Sequence, residues 1–352
     1  IIIISNFKFQ TKWRIQVMKK IAVLIFMLIT ISLYGLLALD KEQTDAWIAL
    51  VGEKDLQVKM QKLEDYYNKY GGKEDRNSMY MYLHLAETTY QLQQYEKTIQ
   101  FGEKALTYKE TEASHKLRIY LYLANAYNLT KKDLDKAYGY ADQIIELARS
   151  LRSETLSNST IDNNFIAPAL RIQVQLLAAK PQDPQNAINA FNKALEAYQL
   201  DKSDKSANFV LALSERMLKS NKVEEAIRGV EAINQNKPSA DYYKMLGLWY
   251  ARLKNQDKAI ENLKTSYQMK RNAKVAYDLG VLLNQNNNLD SALDYLAESN
   301  LLNDEKYSGE ALKLLQHLIF YVKTKGQPQA EQEKALNDVL AMAKTRLGIT
   351  LP

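Results

Sequence analysis

Residues 239–269 read SADYYKMLGLWYARLKNQDKAIENLKTSYQM, and residues 272–302 read NAKVAYDLGVLLNQNNNLDSALDYLAESNLL. The second stretch repeats the pattern of the first 33 residues further on. In the first, Tyr243 is followed by Leu246-Gly247, then Tyr250, then Ala259 and Leu263. In the second, Ala276, Leu279-Gly280, Leu283, Ala292 and Leu296 hold the same places. One copy upstream, Val210, Leu213-Ser214, Met217, Ala226 and Val230 do so again, and Pro238 closes that copy. Apolar residues three and four apart share one helical face, so each copy reads as two amphipathic helices. The polar runs Lys254-Asn255-Gln256-Asp257 and Asn286-Asn287-Asn288 read as the breaks between them. Small residues at Ser214, Gly247 and Gly280, and the alanines opposite, let the two helices approach closely.

The pattern extends toward the N-terminus with more variation. Tyr82, Leu85-Ala86, Thr89, Thr98, Gly102 and Ala105 form one copy, and Tyr120, Leu123-Ala124, Tyr127, Ala137 and Ala141 another, with one extra residue in its turn. Ala187-Ile188, Phe191 and Ala194-Leu195 read as a further second helix, with its first helix somewhere in 165–179. Over residues 79–300 the chain resembles the tetratricopeptide repeat, whose 34-residue pattern is W-x2-L-G-x2-Y, then A-x3-F, then P. It departs from that pattern in having no Trp at the leading aromatic place and a single closing Pro. The resemblance implies an all-α, right-handed α-solenoid of antiparallel helix hairpins, each covering its neighbour's apolar face.

The domain reading follows. Residues 40–78 are expected to form an N-terminal helical cap, with Leu56, Met60, Leu63 and Tyr67 on one face, stopped by Gly71-Gly72. Repeats are expected over 79–150 and 165–300, a polar loop or hinge over 151–164, and a C-terminal helical cap over 301–352. Ahead of these, Met18 and Lys19-Lys20 precede an apolar run over 21–39. A short basic segment before an apolar core is the pattern of an export signal. Residues 18–39 are therefore read as a signal peptide, or as a retained membrane anchor, since about 20 apolar residues can span a bilayer. The body is then extracytoplasmic, periplasmic or secreted. Ala38 is the expected last residue removed. Met18 is read as the start and 1–17 as upstream translation.

Composition narrows the chemistry. The 352 residues carry 47 Lys and Arg, 41 Asp and Glu, and a formal charge of +6. Five of those bases (Lys8, Lys12, Arg14, Lys19 and Lys20) and one acid, Asp40, lie in residues 1–40, so 42 bases face 40 acids in the rest. A near-neutral body with no basic face argues against a nucleic-acid partner. Cys is absent, which removes disulfides, thiolate metal sites and a cysteine nucleophile. His84, His115 and His317 fall in different segments and are expected to serve packing or surface roles. No phosphate-loop, dinucleotide, zinc-protease or nucleophile-elbow motif occurs. Asn286, Asn288 and Asp290 alternate like a calcium loop but lack its Gly and terminal Glu, so a turn with Asp290 as a helix cap is expected. Asn128-Leu129-Thr130 and Asn158-Ser159-Thr160 fit the glycosylation acceptor. No catalytic, cofactor or metal site is expected.

The resemblance implies that the first helices of the hairpins line a concave groove that takes a protein or peptide. In register, the residues facing that groove are Glu87, Tyr90, Asn125 and Asn128 in the earlier copies. In the later copies they are Glu215, Lys244, Leu248, Tyr277, Val281 and Asn284. Amides can bond a peptide backbone, and aromatic rings supply contact area. A clamp for a terminal carboxylate is not expected, because Leu83 and Glu87 stand where such a clamp needs cations. The chain is thus expected to be an extracytoplasmic binding scaffold and not an enzyme. A self-assembling envelope component is the alternative, and an enzyme-attached module a weaker one. If Met18 is the start, peptide mapping of the natively expressed protein recovers no peptide containing residues 1–17, and recovering one contradicts that reading.

Overall fold

The computed structural model describes residues 41–71, 76–109, 111–153, 158–180, 183–302 and 304–349. The segment read as upstream translation, 1–17, and the one read as signal peptide or membrane anchor, 18–39, lie outside the described residues. Among the described residues there are helices and no strands, and no helix is long and apolar enough to cross a membrane. The chain divides into two compact units, residues 1–161 and 162–352.

Unit 1 contains α1 (Lys41–Val51), α2 (Leu56–Tyr70), α3 (Arg76–Gln91), α4 (Tyr95–Leu106), α5 (Ala113–Thr130), α6 (Leu134–Ser150) and a helical turn, α7 (Asn158–Ile161). α3 pairs with α4, and α5 with α6. Unit 2 opens on a π-helical turn (Asp162–Ile166) and continues with α8 (Ala167–Ala178), α9 (Pro184–Asp201), α10 (Asp204–Lys219) and α11 (Val223–Asn236). It goes on through α12 (Ala240–Arg252), α13 (Gln256–Met269), α14 (Ala273–Gln285) and α15 (Leu289–Leu301). It ends with α16 (Glu305–His317), a π-helical turn (Leu318–Lys323) and α17 (Gln329–Leu347). Its consecutive helices pair as α8 with α9, α10 with α11, α12 with α13, and α14 with α15. The fold is the expected all-α stack of tetratricopeptide-type hairpins.

The sequence register is the packing register. Leu246, Tyr250, Ala259 and Leu263 are buried, as are Ala276, Leu279, Leu283, Ala292 and Leu296. A Cβ placed on Gly247 would lie 2.5 Å from Leu263 Cγ and 3.1 Å from the Ala259 carbonyl oxygen. One placed on Gly280 would lie 2.5 Å from Leu296 Cγ and 3.2 Å from the Ala292 carbonyl oxygen. The glycine thus lets a leucine of the second helix rest on the backbone of the first. Ser266 Oγ donates to the Ala240 carbonyl at 2.8 Å, and Ser299 Oγ to the Ala273 carbonyl at the same distance.

The turns repeat as closely. Gln93, Asn221, Lys254 and Asn287 each adopt positive φ near 60°. In each case the next residue's amide reaches back five residues, Gln94 to Thr89, Lys222 to Met217, Asn255 to Tyr250 and Asn288 to Leu283, at 2.8 to 3.0 Å. This closes the helix with a left-handed residue and starts the second helix at once. Asn255 and Asn288 then cap α13 and α15 by accepting from Lys258 N and Ser291 N. The cap of α15 is Asn288 and not Asp290, which pairs instead with Lys323 at 2.7 Å. An asparagine amide at the turn reaches the first free N–H groups, whereas Asp290 already lies inside the helix.

Hairpins are also tied to each other. In unit 1, Tyr127 Oη donates to Glu103 of the preceding hairpin, and Lys136 Nζ lies 2.7 Å from the same carboxylate and over the Tyr127 ring. In unit 2, Tyr250 Oη donates to Glu231 of the preceding hairpin, with Lys258 over the Tyr250 ring. Burial, then the hydrogen bond to Glu231, push the Tyr250 hydroxyl up to about 12. Arg171 of α8 pairs with Asp201 at the end of α9, which also accepts from Ser203 and Ser206. α17 is fastened to α15 by Arg346, 2.6 Å from Glu298 and 3.1 Å from Asp294.

Two readings change. The apolar face of α2 carries Tyr66, which is buried, in place of Tyr67, which is 40% exposed; Tyr66 bonds Gln43 and packs on Trp47 of α1. The segment read as a loop is helical from Asn158 onward, because Ile161 and Ile166 are fully buried. The close approach of the helices predicts opposite effects at two glycines. Gly280→Ala should cost about 1–3 kcal/mol by overpacking. Gly139→Ala, where an added Cβ meets nothing within 4 Å in α6, should gain about 0.5–1 kcal/mol of helix propensity. Urea unfolding of the two variants measures both.

Candidate functional site

Each first helix leaves one stripe incompletely covered, and this stripe is where a ligand can reach. On α3 it runs through Tyr80, His84, Glu87 and Tyr90, and on α5 through His115, Arg118, Tyr122 and Asn125. On α10 it holds Asn208, Leu211, Ala212 and Glu215. On α12 it holds Lys244, Met245, Leu248 and Ala251, and on α14 Lys274, Tyr277, Asp278, Val281 and Asn284. In unit 2 the stripes align because the copies are 33 residues apart: Glu215, Leu248 and Val281 occupy one row, and Leu211, Lys244 and Tyr277 another.

In unit 1 the stripe is bonded to itself. Arg118 Nη2 lies 2.7 Å from Glu87 Oε2, and Tyr122 Oη donates to Glu87 Oε1 at 2.9 Å. His84 Nδ1 lies 3.5 Å from the same carboxylate. Burial raises the Glu87 carboxyl, but His84, Arg118 and Tyr122 together outweigh it and hold the group at about 2. Burial and the Glu87 charge push the Tyr122 hydroxyl well above its ordinary value. Tyr90 rests on Tyr122 at 5.2 Å between ring centroids, and Tyr80 meets His115 edge-on at 4.9 Å. Asn125 Nδ2 donates to the Leu121 carbonyl of its own helix. Asn128, placed in the groove by the sequence register, is instead 4% exposed and accepts from Lys131 Nζ. It holds the repeat place of Tyr90, Ala251 and Asn284, which stay partly exposed, but here the side chain is covered, and its glycosylation motif with it.

In unit 2 the stripe is open. Glu215 is exposed, and neither it nor Asn284 makes a side-chain hydrogen bond or ion pair among the described residues. Leu248 and Val281 are half-buried between them. At the other edge, Lys244 pairs with Asp241 at 2.8 Å and Lys274 with Asp278 at 2.6 Å. Burial raises the Asp278 carboxyl in spite of Lys274 and the more distant Lys244. Lys274 also lies over the Tyr307 ring, and Tyr277 meets that ring at 5.9 Å.

Of the ten residues read from sequence, the structure therefore brings Glu87 and Tyr90 into one cluster. It leaves Asn125 bonded to its own helix and buries Asn128. It sets Glu215, Lys244, Leu248, Tyr277, Val281 and Asn284 along one accessible face. Sequence reasoning missed Arg118, Tyr122, Lys274, Asp278 and Tyr307. Stepping three or four residues from each chosen position would have found Tyr122, Asp278 and Lys274. Glu87 takes its cation, Arg118, from the next hairpin 31 residues on. Among the described residues no cluster of His, Cys, Asp or Glu could hold a metal ion.

Fold and site together define a helical-hairpin repeat protein with an accessible first-helix face. No protein-family model matches the chain, and no curated protein matches it. Solved structures similar to it include a tetratricopeptide repeat protein from Parabacteroides merdae, 13% identical over 78% of this chain and 98% of that one, with a TM-score of 0.37. Another is YrrB, described as a TPR protein with an unusual peptide-binding site, 16% identical over 64% of this chain and 97% of that one, with a TM-score of 0.37. A third is PilF of Pseudomonas aeruginosa, 16% identical over 68% and 97%, with a TM-score of 0.30.

The Glu87 cluster predicts an acid-sensitive unit 1. A carboxyl held at about 2 stabilises the fold fully above its ordinary value of 4.5 and loses that contribution as pH falls toward 2. Glu87→Gln should cost about 1–3 kcal/mol at pH 7, because Arg118 keeps its charge without a partner. The cost should shrink when urea unfolding is repeated near pH 3.

Proposed function

We propose that the protein is an extracytoplasmic scaffold that holds a protein or peptide along the first-helix face of unit 2. The observation that carries this reading is the contrast between the two faces. Polar groups that already bond one another gain little from a ligand, since binding must first break those bonds. Glu215 and Asn284 have no such bonds to lose, and Leu248 and Val281 offer apolar area beside them. Rigid helices hold all four at fixed spacing, which lowers the ordering cost of association. The extracytoplasmic part of the reading rests on Lys19-Lys20 and the apolar run over 21–39.

The full chain and a Leu248→Ser, Val281→Ser double variant, both tagged at the C-terminus and expressed natively, test this by affinity capture. A protein recovered by the parent should fall at least about tenfold in the double variant, as expected for losing two apolar contacts worth about 1.4 kcal/mol together. It should be retained by Tyr90→Ala. Equal recovery by parent and double variant contradicts the proposal.

A further inference from the structure

The helices ahead of the repeats leave an apolar stripe uncovered at α1. We infer that this stripe lies on a lipid bilayer: the apolar run over 21–39 stays in the membrane, and Thr44, Ile48 and Val51 of α1, with Val58 of α2, rest on its surface. Lipid contact depends on the same apolar run as the extracytoplasmic reading above and is independent of what unit 2 binds.

Exposed large hydrophobic side chains in the repeats, such as Leu129, Leu253 and Met269, stand alone at helix ends. In the first two helices they group. Ile48, Val51 and Val58 are 57%, 43% and 44% exposed. Thr44, Ile48 and Val51 fall at i, i+4 and i+7, so they share one side of α1. Val58 follows in the first turn of α2, beyond the connection over 52–55. A different side of α1 already does the packing. Gln43 and Leu50 are buried there, and Trp47 meets Tyr66 and His84 at 5.2 and 5.5 Å between ring centroids. α1 thus carries apolar residues on two sides, and α2 and α3 cover one of them. A helix apolar on more than one side is covered on both or borders an apolar phase.

Placement in the chain names the occupant. Only Asp40 separates Leu39, the last residue of the apolar run, from Lys41 at the start of α1. A run over 21–39 is about the length that spans a bilayer. The chain covers at most about 3.6 Å per residue, and an α-helix rises about 1.5 Å per residue, so Ile48 lies within roughly 20 Å of the end of the run. A tether this short holds the stripe at a high local concentration of lipid, and contacts too weak to hold a free helix then persist. The charges beside the stripe suit lipid phosphates. Lys41, Lys54 and Lys59 make no ion pair among the described residues. Glu42 is held by Lys69, Glu53 by Lys62, and Asp55 by the α2 amides it caps. Asp45 remains as an unpaired acid at the edge of the stripe.

The chain has no Cys, so Ile48→Cys, Val51→Cys, Val58→Cys and, outside the cap, Leu129→Cys can each carry a single environment-sensitive fluorophore. The labelled full chains are reconstituted in vesicles of phosphatidylethanolamine and phosphatidylglycerol. All four side chains are exposed, so each variant should melt with the parent. Lipid spin-labelled near its headgroup should quench the labels at 48, 51 and 58 at least about twofold and leave the label at 129 unchanged. Equal quenching at all four positions, or none at 48, 51 and 58, overturns the bilayer contact and leaves the unit 2 scaffold reading standing. Emission at 48, 51 and 58 that follows the number of chains per vesicle, and not the spin-labelled lipid, assigns the stripe to a second copy and overturns it too. A natively expressed chain whose first residue, by mass spectrometry, lies after residue 39 has lost the membrane run, and this also overturns the proposal.

Discussion

The close contact between a small residue of one helix and a leucine of its partner is the constraint on which the rest of this structure depends. At Gly247 and Gly280 no side-chain atom separates the first helix from Leu263 and Leu296. That contact brings the hairpin arms together, fixes their rotation, and so decides which stripe of each first helix turns inward and which stays accessible. Ala86, Ala124 and Ser214 hold the same place in the other hairpins and are fully buried. Because the copies in the middle of unit 2 are 33 residues apart, the accessible stripes line up in rows. The accessible face is a by-product of how the core closes.

The same architecture gives two different surfaces. In unit 1, α3 and α5 contribute complementary charges and tilted or edge-on ring contacts, so their stripe is bonded to itself. In unit 2, the corresponding rows place an acid beside two apolar residues, which cannot satisfy one another. The ties that hold the hairpins of each unit in register, Tyr127 with Glu103 and Lys136, and Tyr250 with Glu231 and Lys258, run from a first-helix tyrosine outside the stripe to residues of second helices. In unit 2 the residues that hold the hairpins in register are therefore distinct from those of the accessible stripe, whereas in unit 1 the stripe residues themselves bond across hairpins.

The fold was largely legible because its determinants are local and periodic. Helix spacing, small residues and polar turns all fall within one 33-residue copy, so the buried set from Val210 to Leu296 follows directly from the pattern. Two errors came where a residue one or two places away takes the role instead. Tyr66 is buried instead of Tyr67 because Gln43 and Trp47 of α1 lie on its side. Asn288 caps α15 in place of Asp290 because the left-handed turn at Asn287 brings its amide to the free N–H groups. The helix at 158–166 was hidden by its polar composition and is held by two isoleucines. The site was less legible than the fold. A stripe can be read from periodicity within one helix, but whether Glu87 is free or paired depends on Arg118 in the next hairpin. Single-helix spacing carries no information on that pairing.

The central claim is that the two first-helix faces are unequal and that only the one in unit 2 takes a ligand. A photo-crosslinking amino acid placed singly at Leu248 and at Tyr90 of the natively expressed full chain tests this most directly. The account predicts a discrete covalent adduct from position 248 and none from position 90. Adducts of similar yield at both positions, or an adduct at position 90 alone, would contradict it.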